Sequence, residues 1–193
     1  MSTEKKIVPL ISSNTAGPLG VIHLPRLWLK ASLEARGKIA PGYPGAGKGY
    51  DQMVIDGLGL DREKVLDYIK TSRPNYVQFE AWVKEQPGVK LDKATIDASN
   101  AAIRGYNHGD ETRAGIFKAV GLDDASCDFR CAADLNNLED WNEFHAVELL
   151  EDAAPATDNP QTNDGQGDGA NEAPTMRAEA APDDVKEPQP VGA

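Results

Sequence analysis

Short apolar stripes with helical spacing constrain the fold of this chain more than any other feature. The first stripe consists of Leu24, Leu27, Trp28 and Ala31. Pro25 suits the first turn of such a helix, and Gly37 marks its end. Similar stripes recur up to residue 150, and no segment shows the sustained alternation that is typical of strands. The sequence therefore predicts an all-α fold, a single compact domain of six to eight short helices in an irregular orthogonal assembly.

Polar residues at the predicted helix starts support this assignment. Asn75 and Gln78 have the spacing of a capping box, in which each side chain accepts a hydrogen bond from a backbone N–H group of the other residue. Single capping residues are expected at four further helix starts: Asp51, Asp61, Asp92 and Asp110. A carboxylate at such a position accepts hydrogen bonds from free N–H groups, so it fixes where the helix begins.

Aromatic residues indicate where the core lies. Trp28 and Trp82 fall on the apolar stripes of their helices, so both are expected in the core. Trp141 lies among acidic residues and is expected to be partly exposed.

The composition changes sharply after residue 150. All twelve aromatic residues come before residue 151, whereas the remainder contains ten acidic residues, two basic residues and six of the thirteen prolines. A segment so poor in apolar residues cannot bury enough surface to offset the entropy of ordering it. We therefore expect a weakly ordered N-terminal arm over 1–16, a helical domain over 17–150 and a disordered acidic tail over 151–193.

The charge of the chain argues against several classes of partner. The formal net charge is -11, which disfavours nucleic acids and anionic membrane surfaces because both are negatively charged. No apolar stretch approaches the roughly 20 residues that span a bilayer. The N-terminal 20 residues do not resemble a signal peptide, and two cysteines form no disulfide framework. We therefore expect a cytoplasmic protein without nucleic-acid or membrane partners.

The segment 42–48 has the spacing of a phosphate-binding loop, G-x-x-x-x-G-K. The chemistry does not match, because Gly49 replaces the hydroxyl residue that would bind magnesium and Pro44 lacks an N–H group for the phosphate cradle. A predicted helix also precedes the segment where the motif requires a buried strand. The segment is therefore interpreted as a glycine-rich connection or as a loop over a ligand site, and no cofactor is predicted.

The start of the first helix concentrates side chains that can carry chemistry. His23 lies just before this helix, Arg26 lies in its first turn, and Lys30 follows four residues later on the same face. Because the apolar stripe lies opposite, these residues form either a solvated charged face or an anion site at a helix N-terminus. In an anion site, Arg26 and Lys30 hold the ligand and His23 acts as an acid or base.

A second set of polar residues flanks the glycine-rich segment and consists of Tyr43, Tyr50, Asp51 and Gln52. Asp51 is either the N-cap of the second helix or the carboxylate that orients His23. The spacing leaves both alternatives open. If the loop folds over the first helix, these residues lie opposite His23 and complete a ligand site.

A third polar group lies near residue 105. Arg104 and His108 are further candidates for ligand binding, although a surface loop with an exposed histidine is the simpler interpretation. Cys127 and Cys131 are four residues apart, but structural zinc sites typically use two close pairs of ligands and no second pair is present. No metal site is therefore predicted.

Four short runs carry a resemblance to a known family: Gly20-Val21-Ile22-His23-Leu24-Pro25-Arg26-Leu27 with Lys30, Gly49-Tyr50-Asp51-Gln52, Leu58-Gly59-Leu60-Asp61 and Phe79-Glu80-Ala81-Trp82-Val83. On these runs the chain resembles a bacterial family known as domain of unknown function 5069, over most of residues 17–145. The resemblance implies a compact helical domain and no established activity. Family members often have an Asn-Cys-Pro-Leu-Asp-Gln run where this chain has 48–52 without the cysteine, so no role of that cysteine carries over.

The sequence thus predicts a domain that binds a small polar or anionic metabolite, with transformation of that ligand left open. His23 and Asp51 are the predicted acid/base residues. The predicted ligand-binding residues are Arg26, Lys30, Tyr43, Tyr50, Gln52, Arg104 and His108. The alternative is a non-enzymatic protein-interaction module with a solubilising acidic tail. An enzyme is expected to enclose His23 in a pocket, whereas an interaction module exposes a contiguous apolar patch.

Overall fold

Seven α-helices form the framework of the residues that the structure, a computed structural model, describes, namely 6–123, 128 and 130–150. They are α1 (Leu24–Glu34), α2 (Tyr50–Gly57), α3 (Arg62–Ser72), α4 (Tyr76–Lys84), α5 (Lys93–Gly105), α6 (Asp110–Ala119) and α7 (Ala132–Phe144), and a π-helical turn, His145–Leu150, follows α7. Within those ranges, extended pairing is limited to three isolated bridges. The predicted all-α fold is confirmed. Cys127 and the predicted tail at 151–193 lie outside the described residues.

Three of the predicted helix starts are capped as the sequence indicates. Asn75 and Gln78 form both hydrogen bonds of the capping box at α4, each at 2.9 Å. Asp61 accepts a hydrogen bond from the third residue of α3, and Asp92 does the same at α5. Local side-chain chemistry therefore sets the start of these three helices.

Two predicted caps are wrong, since a glycine takes the N-cap position in each case. Helix α2 follows Gly49 and helix α6 follows Gly109, and neither helix has a side-chain cap. Asp51 and Asp110 lie inside the first turns instead, where a negative charge still favours the positive end of the helix. The carboxylate of Asp51 is thereby left for other partners.

Helix α1 contacts α2, α3 and α4 and is buried on two sides. Leu24 and Leu27 of its apolar stripe lie in the main core, as predicted. On the side that was predicted to be polar, Arg26 and Lys30 are each only 2% exposed. The alternative of a solvated charged face is therefore wrong, because the N-terminal segment, residues 42–49 and α7 cover this side of α1.

The tryptophans pack at the edge of the core. Trp28 and Trp82 are half-buried against the main core, so the expectation that they lie inside it holds only in part. Trp28 donates its indole N–H to the carbonyl of Pro74 at 3.0 Å. Trp82 stacks on Tyr68 with a distance of 4.6 Å between ring centroids. Trp141 is 60% exposed, as predicted.

Residues 6–16 pack on the helices, although the sequence assigns them to a weakly ordered arm. Val8 is buried with Ala40 and Tyr43 in a small second core. Ile7 forms a parallel bridge with Ile39 in the connection after α1. The apolar run at 7–11 is too short to predict a helix, but it supplies enough apolar surface to anchor the segment.

A buried ionic cluster ties this segment to the first and last helices. The guanidinium of Arg26 donates to both carboxylate oxygens of Asp140 on α7, at 2.6 and 3.0 Å. It also donates to the carbonyls of Pro9 and Ile11, at 2.6 and 2.8 Å. The hydroxyl of Tyr43 donates to Asp140 at 3.0 Å. A bidentate arginine with its charge fully paired can be buried without leaving donors unsatisfied, so Arg26 acts as a cross-link in the fold.

We expect Asp140→Asn to lower the free energy of unfolding by about 3–5 kcal/mol, because it leaves the buried Arg26 without a counter-charge. The matched control is Asp134→Asn on the same helix, whose half-buried carboxylate has a 3.4 Å contact with Asn14. That change should cost only about 0.5 kcal/mol. Urea denaturation of both variants measures the difference. Equal effects of the two substitutions would contradict the role given to Asp140.

Candidate functional site

His23 occupies an unusual backbone position at the start of α1. Its φ angle is 66°, in the left-handed region that residues other than glycine rarely adopt, and its side chain does not cap the helix. Asn100 of α5 holds the preceding chain in place. The Asn100 carboxamide oxygen accepts from the N–H of Ile22 at 3.0 Å, and its nitrogen donates to the carbonyl of Gly20 at 2.8 Å. Strained residues of this kind persist only where the surroundings impose them, and they cluster at functional sites.

The His23 side chain is paired with Asp51, which lies in the first turn of α2. The Nε2 atom of His23 lies 2.9 Å from one carboxylate oxygen of Asp51, and the pair is buried. The other oxygen accepts hydrogen bonds from the ammonium of Lys30 at 2.8 Å and from the N–H of Gly47 at 2.7 Å. Of the two alternatives for Asp51, the structure shows the contact with His23. His23, Asp51 and Lys30 are hereafter the buried triad.

The charges of the triad favour a neutral imidazole. Burial alone raises the pKa of Asp51, but the hydrogen bond from His23 and the charge of Lys30 outweigh it and hold this pKa far below its usual range. Burial lowers the pKa of His23, and the hydrogen bond with Asp51 opposes this only in part. Because Lys30 already neutralises Asp51, a protonated His23 would add an uncompensated positive charge to the interior.

One ring nitrogen of His23 is therefore a free acceptor. In the neutral ring, the nitrogen facing Asp51 carries the proton, since the ionised carboxylate can only accept. The other nitrogen, Nδ1, then has a lone pair, and it is buried without a hydrogen-bond partner among the described residues. A buried polar atom left unsatisfied costs about 1–3 kcal/mol. The domain therefore retains an uncompensated basic nitrogen in its interior.

Aromatic rings line the side of the triad towards α5. The ring of Tyr50 lies 5.3 Å from that of His23, and the ring of Tyr106 lies 5.6 Å from that of Tyr50. Burial, followed by the neighbouring Cys131 thiol, raises the pKa of Tyr50 well above its usual range, so its hydroxyl stays protonated. This apolar wall lowers the local dielectric and strengthens the hydrogen bonds of the triad.

The remaining predicted ligand-binding residues are distributed more widely than the sequence suggested. Arg26 and Tyr43 belong to the ionic cluster with Asp140, not to the buried triad. Gln52 lies beside the triad on α2 and accepts a hydrogen bond from Arg62. Arg104 is exposed at the end of α5. The ring of His108 packs edge-on against Tyr106, with 5.9 Å between the ring centroids.

Several residues around the triad were missed by the sequence analysis. In the sequence, Asp140, Arg62 and Asn100 look like ordinary polar residues on helical surfaces. Their partners lie far along the chain: Asp140 is 114 residues from Arg26, and Asn100 is 78 residues from Ile22. No spacing rule connects positions so far apart.

The glycine-rich segment makes contacts unlike those of a phosphate-binding loop. The N–H of Gly47, which would face a phosphate, donates to Asp51 instead. Lys48 is exposed. Among the described residues, no group of three or more His, Cys, Asp or Glu side chains is arranged to hold a metal ion.

A cleft of about 280 Å³ lies between α1 and α3. It is lined by Ala31, Glu34, Ala35, Leu66 and Lys70. Glu34 is one helical turn from Lys30, and it also accepts a hydrogen bond from the N–H of Gly45 at 3.0 Å. The cleft therefore borders the glycine-rich segment, while the triad itself stays closed to solvent.

Comparisons of the chain with protein-family models, curated proteins and solved structures found no match. The resemblance to domain of unknown function 5069 therefore stays a prediction. None of the helices in the described ranges is long and apolar enough to cross a membrane.

The lowered pKa of His23 predicts how stability depends on pH. Below the ordinary histidine pKa of 6.5, the unfolded chain takes up a proton that the folded chain refuses, so the free energy of unfolding falls. Between about pH 8 and pH 5, this loss should be up to roughly 2 kcal/mol larger in the wild type than in His23→Asn. Asparagine tolerates the left-handed backbone at this position.

Denaturation curves at the two pH values measure this difference. His108 and His145 are present in both proteins, so their contributions cancel. Acidification also lowers the free energy of unfolding through Asp51, but only below the ordinary aspartate pKa of 3.8. That pH lies outside the interval from pH 8 to pH 5. A wild type that gains stability on acidification relative to His23→Asn would show that the folded protein protonates His23.

Proposed function

We propose that this domain binds a small polar ligand at His23 and that the His23–Asp51 pair is its acid/base group. The observation that carries the proposal is the buried Nδ1 atom, which has no hydrogen-bond partner in the part of the chain that the structure describes, although the opposite nitrogen is fixed by Asp51. A purely structural histidine would be expected to use both nitrogens. A ligand that donates an O–H or N–H group to Nδ1 would supply the hydrogen bond that this nitrogen lacks.

The charge balance supports an uncharged polar ligand more strongly than an anion. Lys30 is paired with Asp51, and Arg26 is paired with Asp140. An anion would have to draw one of these cations away from a buried carboxylate, which leaves that carboxylate without its counter-charge. A neutral hydrogen-bond donor needs no such exchange.

The geometry suits proton transfer as well as binding. When Nδ1 accepts a proton from a neutral ligand, the ring becomes positively charged and the ligand negatively charged, so the adjacent ligand anion compensates the ring while Asp51 keeps its hydrogen bond at Nε2. Asp51 also fixes the tautomer that leaves Nδ1 available. Delivery of that proton to a different atom of the ligand completes a cycle of general acid/base catalysis. Lys30 limits the basicity of the pair, because its charge already compensates Asp51.

A second candidate is a protein-interaction module, which the exposed apolar side chains at the C-terminal end of the described domain favour. Trp141 of α7 is 60% exposed, and Leu149 and Leu150 of the π-helical turn are 56% and 55% exposed. Aromatic and large apolar residues of this kind are enriched in interface cores. In this case binding would depend on Trp141 and not on His23.

The proposal is tested by screening small alcohols, amides, carboxylates and phosphates against the full chain by NMR. A genuine ligand should shift the His23 ring signals, and its affinity should fall at least about tenfold in His23→Asn, as expected for loss of one buried hydrogen bond. Lys48→Ala is the control and should bind normally, since Lys48 is exposed. Equal affinity of the wild type and His23→Asn for every compound found would overturn the proposal.

A further inference from the structure

The buried triad is closed, so some segment has to move before solvent or a reagent reaches it. His23, Lys30 and Asp51 are at most 2% exposed. The helices that carry these residues, α1 and α2, contribute heavily to the main core and cannot shift without disrupting it. The segment 45–47 also contacts the triad, and it is not helical: Ala46 packs against the edge of the main core, and the N–H groups of Gly45 and Gly47 donate to side chains.

This segment lies along the face of α1 that carries Lys30 and Glu34. The N–H of Gly45 donates to Glu34 at 3.0 Å, and the N–H of Gly47 donates to Asp51 at 2.7 Å. A Cβ atom at position 45 would collide with the Glu34 side chain, so glycine is required for this close approach. The segment thus lies against Asp51 of the Lys30–Asp51 pair and against Glu34, which also lines the cleft between α1 and α3.

One side chain of α3 holds two of the carbonyl groups of this segment. Arg62, the first residue of α3, donates to the carbonyl of Ala46 at 2.5 Å and to that of Gly47 at 2.9 Å. It also donates to the side-chain oxygen of Gln52 on α2 at 2.8 Å. Because Gln52 belongs to a packed helix, Arg62 keeps one partner when the segment moves away. Opening of the segment therefore costs less free energy than the loss of all hydrogen bonds of Arg62.

We propose that the segment 45–47 is a lid over the Lys30–Asp51 end of the triad and that Arg62 is its latch. The inference rests on the proposed function in one respect only, namely which ligand passes the open lid. The opening itself is a property of the protein without ligand. Lid opening frees the N–H of Gly47 for exchange with solvent and exposes the ammonium of Lys30 to reagents in the same event.

Two measurements on the full chain test this. Amide hydrogen exchange at Gly47 reports opening directly, and acetylation of Lys30 with acetic anhydride, followed by peptide mass spectrometry, reports access to the triad. In Arg62→Ala, both rates should rise by about tenfold or more, since two hydrogen bonds from a charged donor are lost. Acetylation of the exposed Lys84 on α4 should stay unchanged.

The control variant distinguishes the loss of the Arg62 latch from general destabilisation of the fold. Lys48→Ala removes a positive charge from the adjoining chain without changing Arg62, so its exchange and acetylation rates should match those of the wild type.

If Arg62→Ala does not fold, the wild type still tests the proposal, because a lid requires the amide of Gly47 to exchange faster than the core amide of Val54. Equal exchange at Gly47 and Val54, or unchanged Gly47 and Lys30 rates in a folded Arg62→Ala, would overturn the lid. Failure of ligand binding in a protein with normal lid opening would overturn the proposed function alone.

Discussion

The pairing of two buried cations on one helix is the constraint on which the rest of this structure depends. Helix α1 carries an apolar stripe into the main core, yet its other side holds Arg26 and Lys30 at 2% exposure. Burying an unpaired charge costs several kcal/mol, so each cation requires a carboxylate from elsewhere in the chain. Asp140 of α7 and Asp51 of α2 supply them. The two ion pairs thereby fix α2, α7 and the N-terminal segment around α1.

The His23 geometry follows from the same constraint. Asp51 has to face Lys30, and Asn100 holds the chain that enters α1, so the imidazole is held beside Asp51 on a left-handed backbone. Lys30 supplies the charge that Asp51 needs, which leaves His23 free to stay neutral. The cluster that buries a lysine therefore also leaves a basic nitrogen without a hydrogen-bond partner among residues 6–123, 128 and 130–150. This is the feature that distinguishes the site from an ordinary structural ion pair.

Local signals in the sequence predict much of the fold and less of the site. The capping box of Asn75 and Gln78 and the apolar stripe of α1 are encoded within a few residues, and both appear as predicted except that Trp28 of the stripe is only half-buried. The contact between His23 and Asp51 was one of two open alternatives, since both spacing and chemistry allowed it. The burial of Arg26 was not predictable, because its carboxylate partner is 114 residues away and looks like a surface charge on an amphipathic helix. Long-range pairing of charges leaves no periodic pattern in a sequence.

The central claim is that His23 is a neutral imidazole with its proton on Nε2 and a free lone pair on Nδ1. The most direct test is ¹⁵N NMR of the histidine rings in the full chain at about pH 7, with His23→Asn used to assign the signals. We expect one neutral ring that is protonated at Nε2 and stays so on acidification to about pH 6, below the ordinary histidine pKa. A doubly protonated His23 ring, or one with its proton on Nδ1, would contradict it.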